Sequence, residues 1–197
     1  MKICLIGGRM QHGKSTFAKL LVKQIQGMGF TCKLYNFAFA LKREIAPLIK
    51  EKYGFDSFSE DPEEKPKFRE EMILHGKRKR AETNGKYWVD IVEEEIIKDD
   101  MDFAIVGDWR YESEYRLIEK FGGVAIHITK WDMGRNGSLL AIPSDNQEEN
   151  LNDPFVKEQA DFCVNWTAPC DNQTLDNWCN EYVKDFIDIY GDFFAKS

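Results

Sequence analysis

The stretch GGRMQHGKST, residues 7–16, decides the fold. Gly8 is followed by four residues and then by Gly13, Lys14 and Ser15, the spacing of a loop that cradles phosphates. Such a loop needs a buried strand before it and a helix after it. Residues 2–6, KICLI, read as the strand, and Phe17, Leu20, Leu21, Ile25 and Met28 recur at helical spacing. Gly8 and Gly13 let backbone N–H groups turn inward around an anion, and the following helix adds the positive end of its dipole. Arg9, Met10, Gln11 and His12 are expected to wrap the phosphates with their main chain, the His12 ring pointing outward. Lys14 is read as the point charge for the outer phosphates, Ser15 as a hydroxyl for Mg²⁺, and Thr16 as a donor to the innermost phosphate.

Around that loop the pattern alternates. Residues 31–37 (TCKLYNF) predict a second strand and 38–54 a helix bent at Pro47. An acidic, proline-bearing loop follows at 54–66, then a short helix ending at Gly76, the basic run KRKR at 77–80, and a helix over 87–98. FAIV, residues 103–106, is the continuous apolar run of a strand buried on both faces. A helix to Gly122, a strand VAIHIT (124–129), a strand DFCVNW (161–166) and an amphipathic last helix complete the chain. Residues 131–158 read as polar and irregular, a lid-like segment. The expectation is one α/β domain over residues 1–197, with a five-stranded parallel sheet and helices on both faces. Ligands in such sheets bind at the carboxyl ends of the strands, where the loop, Asn36, Asp108 and Asn165 would gather.

Composition narrows the function. The 197 residues carry a net charge of −7, which argues against a nonspecific binder of polymeric nucleic acid. Five scattered cysteines without a C-x-x-C pair fit a reducing cytoplasm. No signal peptide is expected, and no apolar run reaches the ~18 residues of a membrane span.

Mg²⁺ in phosphate-loop enzymes is held by the loop hydroxyl and by an Asp after a neighbouring strand. Asp108, after FAIV and Gly107, is the candidate. Arg110 lies at the same mouth and is read either as a fork for an acceptor phosphate or as a surface partner of Glu112 or Glu114. Lys42, Arg43, Arg69, Arg78, Arg80 and Arg135 are the other basic candidates.

These blocks together resemble the P-loop deoxynucleoside monophosphate kinases of bacteriophages. NFAFALKREI (36–45) is similar to that family's second block. FREEMILHGKRKRAETNGKYWVDIV (68–92) is similar to its central block. AIVGDWRYESEYRLIEKFGGVAIHI (104–128) looks like its D-x-R block, and ADFCVNW (160–166) like its last strand. The resemblance implies the nucleoside-monophosphate-kinase fold and transfer of a phosphoryl group from ATP, with Mg²⁺, to a deoxynucleoside monophosphate in the host cytoplasm. It implies an acceptor region over about residues 38–98. Asn36, Lys42, Arg69, Arg80, Arg110 and Glu114 would lie near the acceptor with Trp88 packed behind, and Asn165 near the donor nucleotide. Trp88 also fits a plain core role. Lys130 stands where the family tends to carry Arg.

Three other readings remain. TKWD at 129–132 is similar to a guanine-reading tetrapeptide, but a GTP switch wants D-x-x-G, and here the run is Asp108-Trp109-Arg110-Tyr111. A kinase of a small non-nucleotide metabolite and a non-catalytic ATP-binding module stay open, as does homodimerisation.

Overall fold

The computed structural model describes residues 1–134, 137–168 and 171–194. Arg135 and Cys170 lie outside the described residues. The chain divides into two compact units, one made of residues 1–34 with 101–197 and one of residues 35–100.

The first unit is built on a sheet. β1 (Lys2–Gly7) runs into the glycine loop and α1 (Lys14–Gly27) leaves it. β2 (Cys32–Tyr35) passes into the second unit. After it the chain returns through β3 (Phe103–Trp109), α5 (Glu112–Phe121), β4 (Gly123–Met133) and β5 (Leu139–Ala141). It ends with α6 (Gln147–Glu158), β6 (Phe162–Ala168), α7 (Asn172–Ile189) and a short 3₁₀ turn. The helices α2 (Phe37–Tyr53), α3 (Lys65–Glu82) and α4 (Tyr87–Asp99) form the second unit.

β1 lies between β3 and β4, parallel to both, and β4 pairs parallel with β6. β2 adjoins β3. The α/β fold with helices on both faces is therefore as expected, with one correction. The sheet has a sixth strand, β5, antiparallel to β4. It arises in the segment read as irregular, which also contains α6. β6 takes one edge of β4 over residues 126–132, and β1 takes the other only as far as His127. β5 pairs with Trp131–Met133, so the hairpin continues the β1 edge of β4 just beyond the point where β1 gives way to the glycine loop.

Strand alternation sorts the two faces. Cys4, Ile6, Ile105, Ile126, Ile128 and Val164 point to one side and pack against Phe17, Leu21 and Ile25 of α1 and Cys179, Val183 and Phe186 of α7. Each Ile, Leu, Val or Phe among them contributes about 1.5–3 kcal/mol by leaving water. On the other side a Cβ on Gly7 would meet Val156 of α6 and the ring of Trp109, and one on Gly123 would meet Ile118 of α5. Both helices approach this face closely.

In the second unit α3 runs on to Glu82 rather than stopping at Gly76. Gly76 is buried in mid-helix: the Trp88 indole N–H donates to its carbonyl (3.3 Å), and a Cβ there would make ordinary contact with Leu41 and the Arg80 guanidinium. The glycine lies inside the helix and does not end it. α2 accepts Pro47 in its interior, and its inner face, Ile45 and Ile49, packs on Phe68. Among the described residues no helix is long and apolar enough to cross a membrane.

Candidate functional site: the glycine loop and its acidic brace

The loop adopts its shape through three residues of positive φ: Gly8 (126°), Gln11 (63°) and Gly13 (85°). Gly8 is required twice over, because a Cβ there would also run into the Ile128 carbonyl of β4. Gln11 holds a left-handed conformation that a non-glycine residue adopts at some cost.

Lys14 folds back over the loop. Its Nζ donates to the carbonyls of Gly8 (2.8 Å) and Arg9 (2.7 Å), and the residue is buried. Burial, and after it the charge of Arg110, pulls the ammonium down to about 8 from its ordinary 10.5, against the opposing pull of Glu149, Asp108 and Asp153. Ser15 is exposed on the first turn of α1, with Thr16 half-buried beside it. Asp108 is half-buried at the carboxyl end of β3, near enough to act on the Lys14 charge.

His12 points inward, correcting the outward orientation expected. The ring is buried; Nδ1 lies 3.2 Å from the Lys130 N–H and 3.3 Å from the Ile128 carbonyl, and Nε2 lies 3.0 Å from the Ile142 carbonyl. Burial holds the imidazole below its ordinary range. The His12 carbonyl accepts from the Trp166 indole N–H of β6 at 2.9 Å. The loop is thus tied by its histidine to β4 and the hairpin, and by its backbone to β6.

A second set of ties comes from α6. Asn146 caps the helix, accepting from Glu148 N–H at 3.0 Å. Glu149 and Asp153 follow one turn apart on the inner face, both buried. Glu149 Oε2 accepts from the Met10 backbone N–H (2.8 Å) and the Ser144 hydroxyl (2.7 Å), and Oε1 faces Arg110 Nη1 at 2.7 Å. Asp153 pairs with Arg9 Nε (3.0 Å) and with Nε2 of the buried His127 (2.9 Å), whose Nδ1 meets the Thr129 hydroxyl. Arg9 also donates to the Ile142 carbonyl (3.2 Å). Burial raises both carboxyls. Arg110, Ser144 and Met10 outweigh it at Glu149, and the His127 hydrogen bond and nearby positive charges outweigh it at Asp153, so both lie below the usual range.

Arg110 is therefore a partner of Glu149 rather than of Glu112 or Glu114. Glu114 is buried at the third position of α5, and its Oε2 accepts the backbone N–H groups of Arg110 (2.7 Å) and Tyr111 (3.1 Å). That carboxylate caps the helix and fixes the backbone from which Arg110 projects.

Asn165 is exposed on β6. Its side-chain oxygen accepts from the Trp131 indole (2.9 Å) and its carbonyl from the Tyr182 hydroxyl (2.8 Å). Lys130 lies over the Trp166 ring. In the second unit, Asn36 occupies the N-cap of α2 and Lys42 pairs with Glu60 at 3.0 Å. Arg69, Gly76 and Arg80 share one face of α3 by helical spacing. Trp88 is buried against that glycine, a core position. The structure brings the loop, Asp108 and Arg110 together in the first unit.

Sequence reasoning missed Glu149, Ser144, Asp153 and His127. The run Asn146-Gln147-Glu148-Glu149 carries a capping signature that would have started a helix there.

No family model and no curated protein sequence matches the chain. Among solved structures, shikimate kinase from Aquifex aeolicus overlays with 18% identity over 95% of this chain and 94% of its own, TM-score 0.47. Shikimate kinase from Acinetobacter baumannii gives 12% identity over 100% and 96%, TM-score 0.48. A gluconokinase from Sinorhizobium meliloti gives 10% over 97% of each chain, TM-score 0.41. At these values the overlays set no family for the chain.

Proposed function

We propose that the chain is a phosphotransferase that moves a phosphoryl group from ATP, with Mg²⁺, to a nucleoside monophosphate, a deoxy one in the reading that the sequence blocks favour. The observation that carries it is the loop itself: Gly8, Gln11 and Gly13 in left-handed conformations, Lys14 folded across, and Arg110 beside it.

The residues fit the metal. Ser15, on the first turn of α1, offers an exposed hydroxyl, and Asp108, at the end of β3, a carboxylate. Among the described residues no group of three or more His, Cys, Asp or Glu forms a metal cage. Mg²⁺ in such sites is bound largely by phosphates and water, which suits one carboxylate and one hydroxyl. The ion would offset charge on the phosphate oxygens. Lys14 stabilises the transferring group and Arg110 grips an anionic acceptor. An acceptor phosphate is already an anionic nucleophile, so this transfer needs no protein base.

A second reading is transfer to a hydroxyl of a small non-nucleotide metabolite. The placement of Asp108 near Lys14 favours it, since a hydroxyl acceptor calls for a carboxylate to take its proton. An ADP-release assay decides between them, run across the ribo- and deoxynucleoside monophosphates and a panel of hydroxylated acids that includes shikimate. Turnover on nucleotides alone supports the first reading. Turnover on the hydroxylated acids alone supports the second. No turnover by wild-type protein that binds ATP leaves the non-catalytic module.

A further inference from the structure

We infer that Glu149 is a positioning residue for the phosphoryl-transfer site, holding Arg110 and the first turn of the glycine loop in one fixed relation. The inference rests on the phosphotransferase reading and adds a residue to it.

Glu149 divides its two oxygens between the two parts of the site. One takes the Met10 N–H of the loop; the other faces Arg110 Nη1 at the end of β3. The carboxylate is itself fixed. The Ser144 hydroxyl donates to it at 2.7 Å, Ser144 N–H donates to Asn150 Oδ1 at 2.9 Å, and Asn150 Nδ2 returns a bond to the Ser144 carbonyl at 2.7 Å. Glu149 stands on the first turn of α6, six per cent exposed, so it has little freedom to move.

A guanidinium carries five N–H donors. Glu149 engages Nη1, while about a third of the Arg110 side chain, 32%, stays open to solvent. The anchored Nη1 fixes the plane of the fork, and the exposed part of the side chain is what is left to meet a ligand. Loop and arginine come from different strands, β1 and β3, and their relative placement decides whether a transferring phosphoryl group meets both at once. A carboxylate that merely blocked an anion site would not need the Ser144–Asn150 scaffold behind it.

The test uses Glu149→Gln, which keeps the shape but removes the charge, together with Ser144→Ala, Arg110→Ala and the Glu149→Gln/Arg110→Ala double variant. Binding of inorganic tripolyphosphate and kcat for MgATP with the best acceptor are measured for each. Removing a negative charge by itself favours anion binding, so Glu149→Gln should bind tripolyphosphate as well as wild type or better. Its kcat should nevertheless fall by about tenfold or more. Ser144→Ala should move kcat the same way by a smaller factor. Glu149→Gln should change kcat by less than about twofold when Arg110 is already Ala. An unchanged or raised kcat in Glu149→Gln, or losses that multiply in the double variant, overturn the inference while leaving the phosphotransferase reading intact. Wild-type protein that transfers to no acceptor removes both.

Discussion

The Trp166 indole N–H donates to the carbonyl of His12 at 2.9 Å, tying the last strand of the sheet to the middle of the glycine loop. Gly13, the next residue, is itself close to that indole. Trp166→Phe removes the donor and part of the ring volume. The expected loss is about 1–3 kcal/mol in unfolding free energy by denaturant titration. Tripolyphosphate affinity should fall with it, because the loop loses its anchor on that side.

Gly8→Ala should be more severe. The backbone angle there, 126°, suits glycine, and the new methyl would meet the Ile128 carbonyl. An expected destabilisation of about 2–4 kcal/mol follows from overpacking plus strain. Thermal unfolding and a MgATP titration measure both effects. A variant as stable as wild type contradicts the loop geometry.

The Lys14 ammonium, at about 8 against an ordinary 10.5, gives the site a pH signature. Between these values the unfolded chain holds a proton that the folded one has released, so this group makes stability rise with pH over that window. Anion binding needs the proton back. Tripolyphosphate binding at pH 9 should therefore take up protons, read as a dependence of calorimetric heat on buffer ionisation enthalpy. At pH 6.5 the uptake from Lys14 should vanish.

Glu149 and Asp153 act with the same sign in the acid range. Their folded carboxyls lie below the usual range, so the stability they contribute is present above the ordinary carboxylate values and is lost as pH falls through the lowered ones. Asp153→Asn should lower the melting temperature at neutral pH and flatten its fall on the acid side. Melting curves from pH 7 down to pH 3 test the sign.

The elements that sequence made legible are those whose buried positions are apolar. β1, β3 and the inner faces of α1 and α7 show their periodicity because Ile, Leu, Val and Phe fill them. α6 was hidden for the converse reason. Its buried positions are Glu149, Asp153 and Val156, two acids of three, and Pro154 sits in its interior. Apolar periodicity carries no trace of a helix whose inner face is there to neutralise arginines. Gly76 misled because a glycine inside a helix looks the same in sequence as one that ends it. The loop between β1 and α1, and the position of Asp108 and Arg110 at the end of β3, were readable from the glycine spacing and the apolar runs. The ties of His12 to Ile142 and of Glu114 to the Arg110 backbone depend on pairings across the sheet and within a cap.

The most direct measurement is the affinity of MgATP for wild-type protein and for Lys14→Ala at pH 7. The expected result is saturable one-to-one binding by the wild type and a loss of about tenfold or more in the variant, which should remain folded by circular dichroism. Equal affinity in the two, or no binding by the wild type, would contradict a phosphate site at this loop.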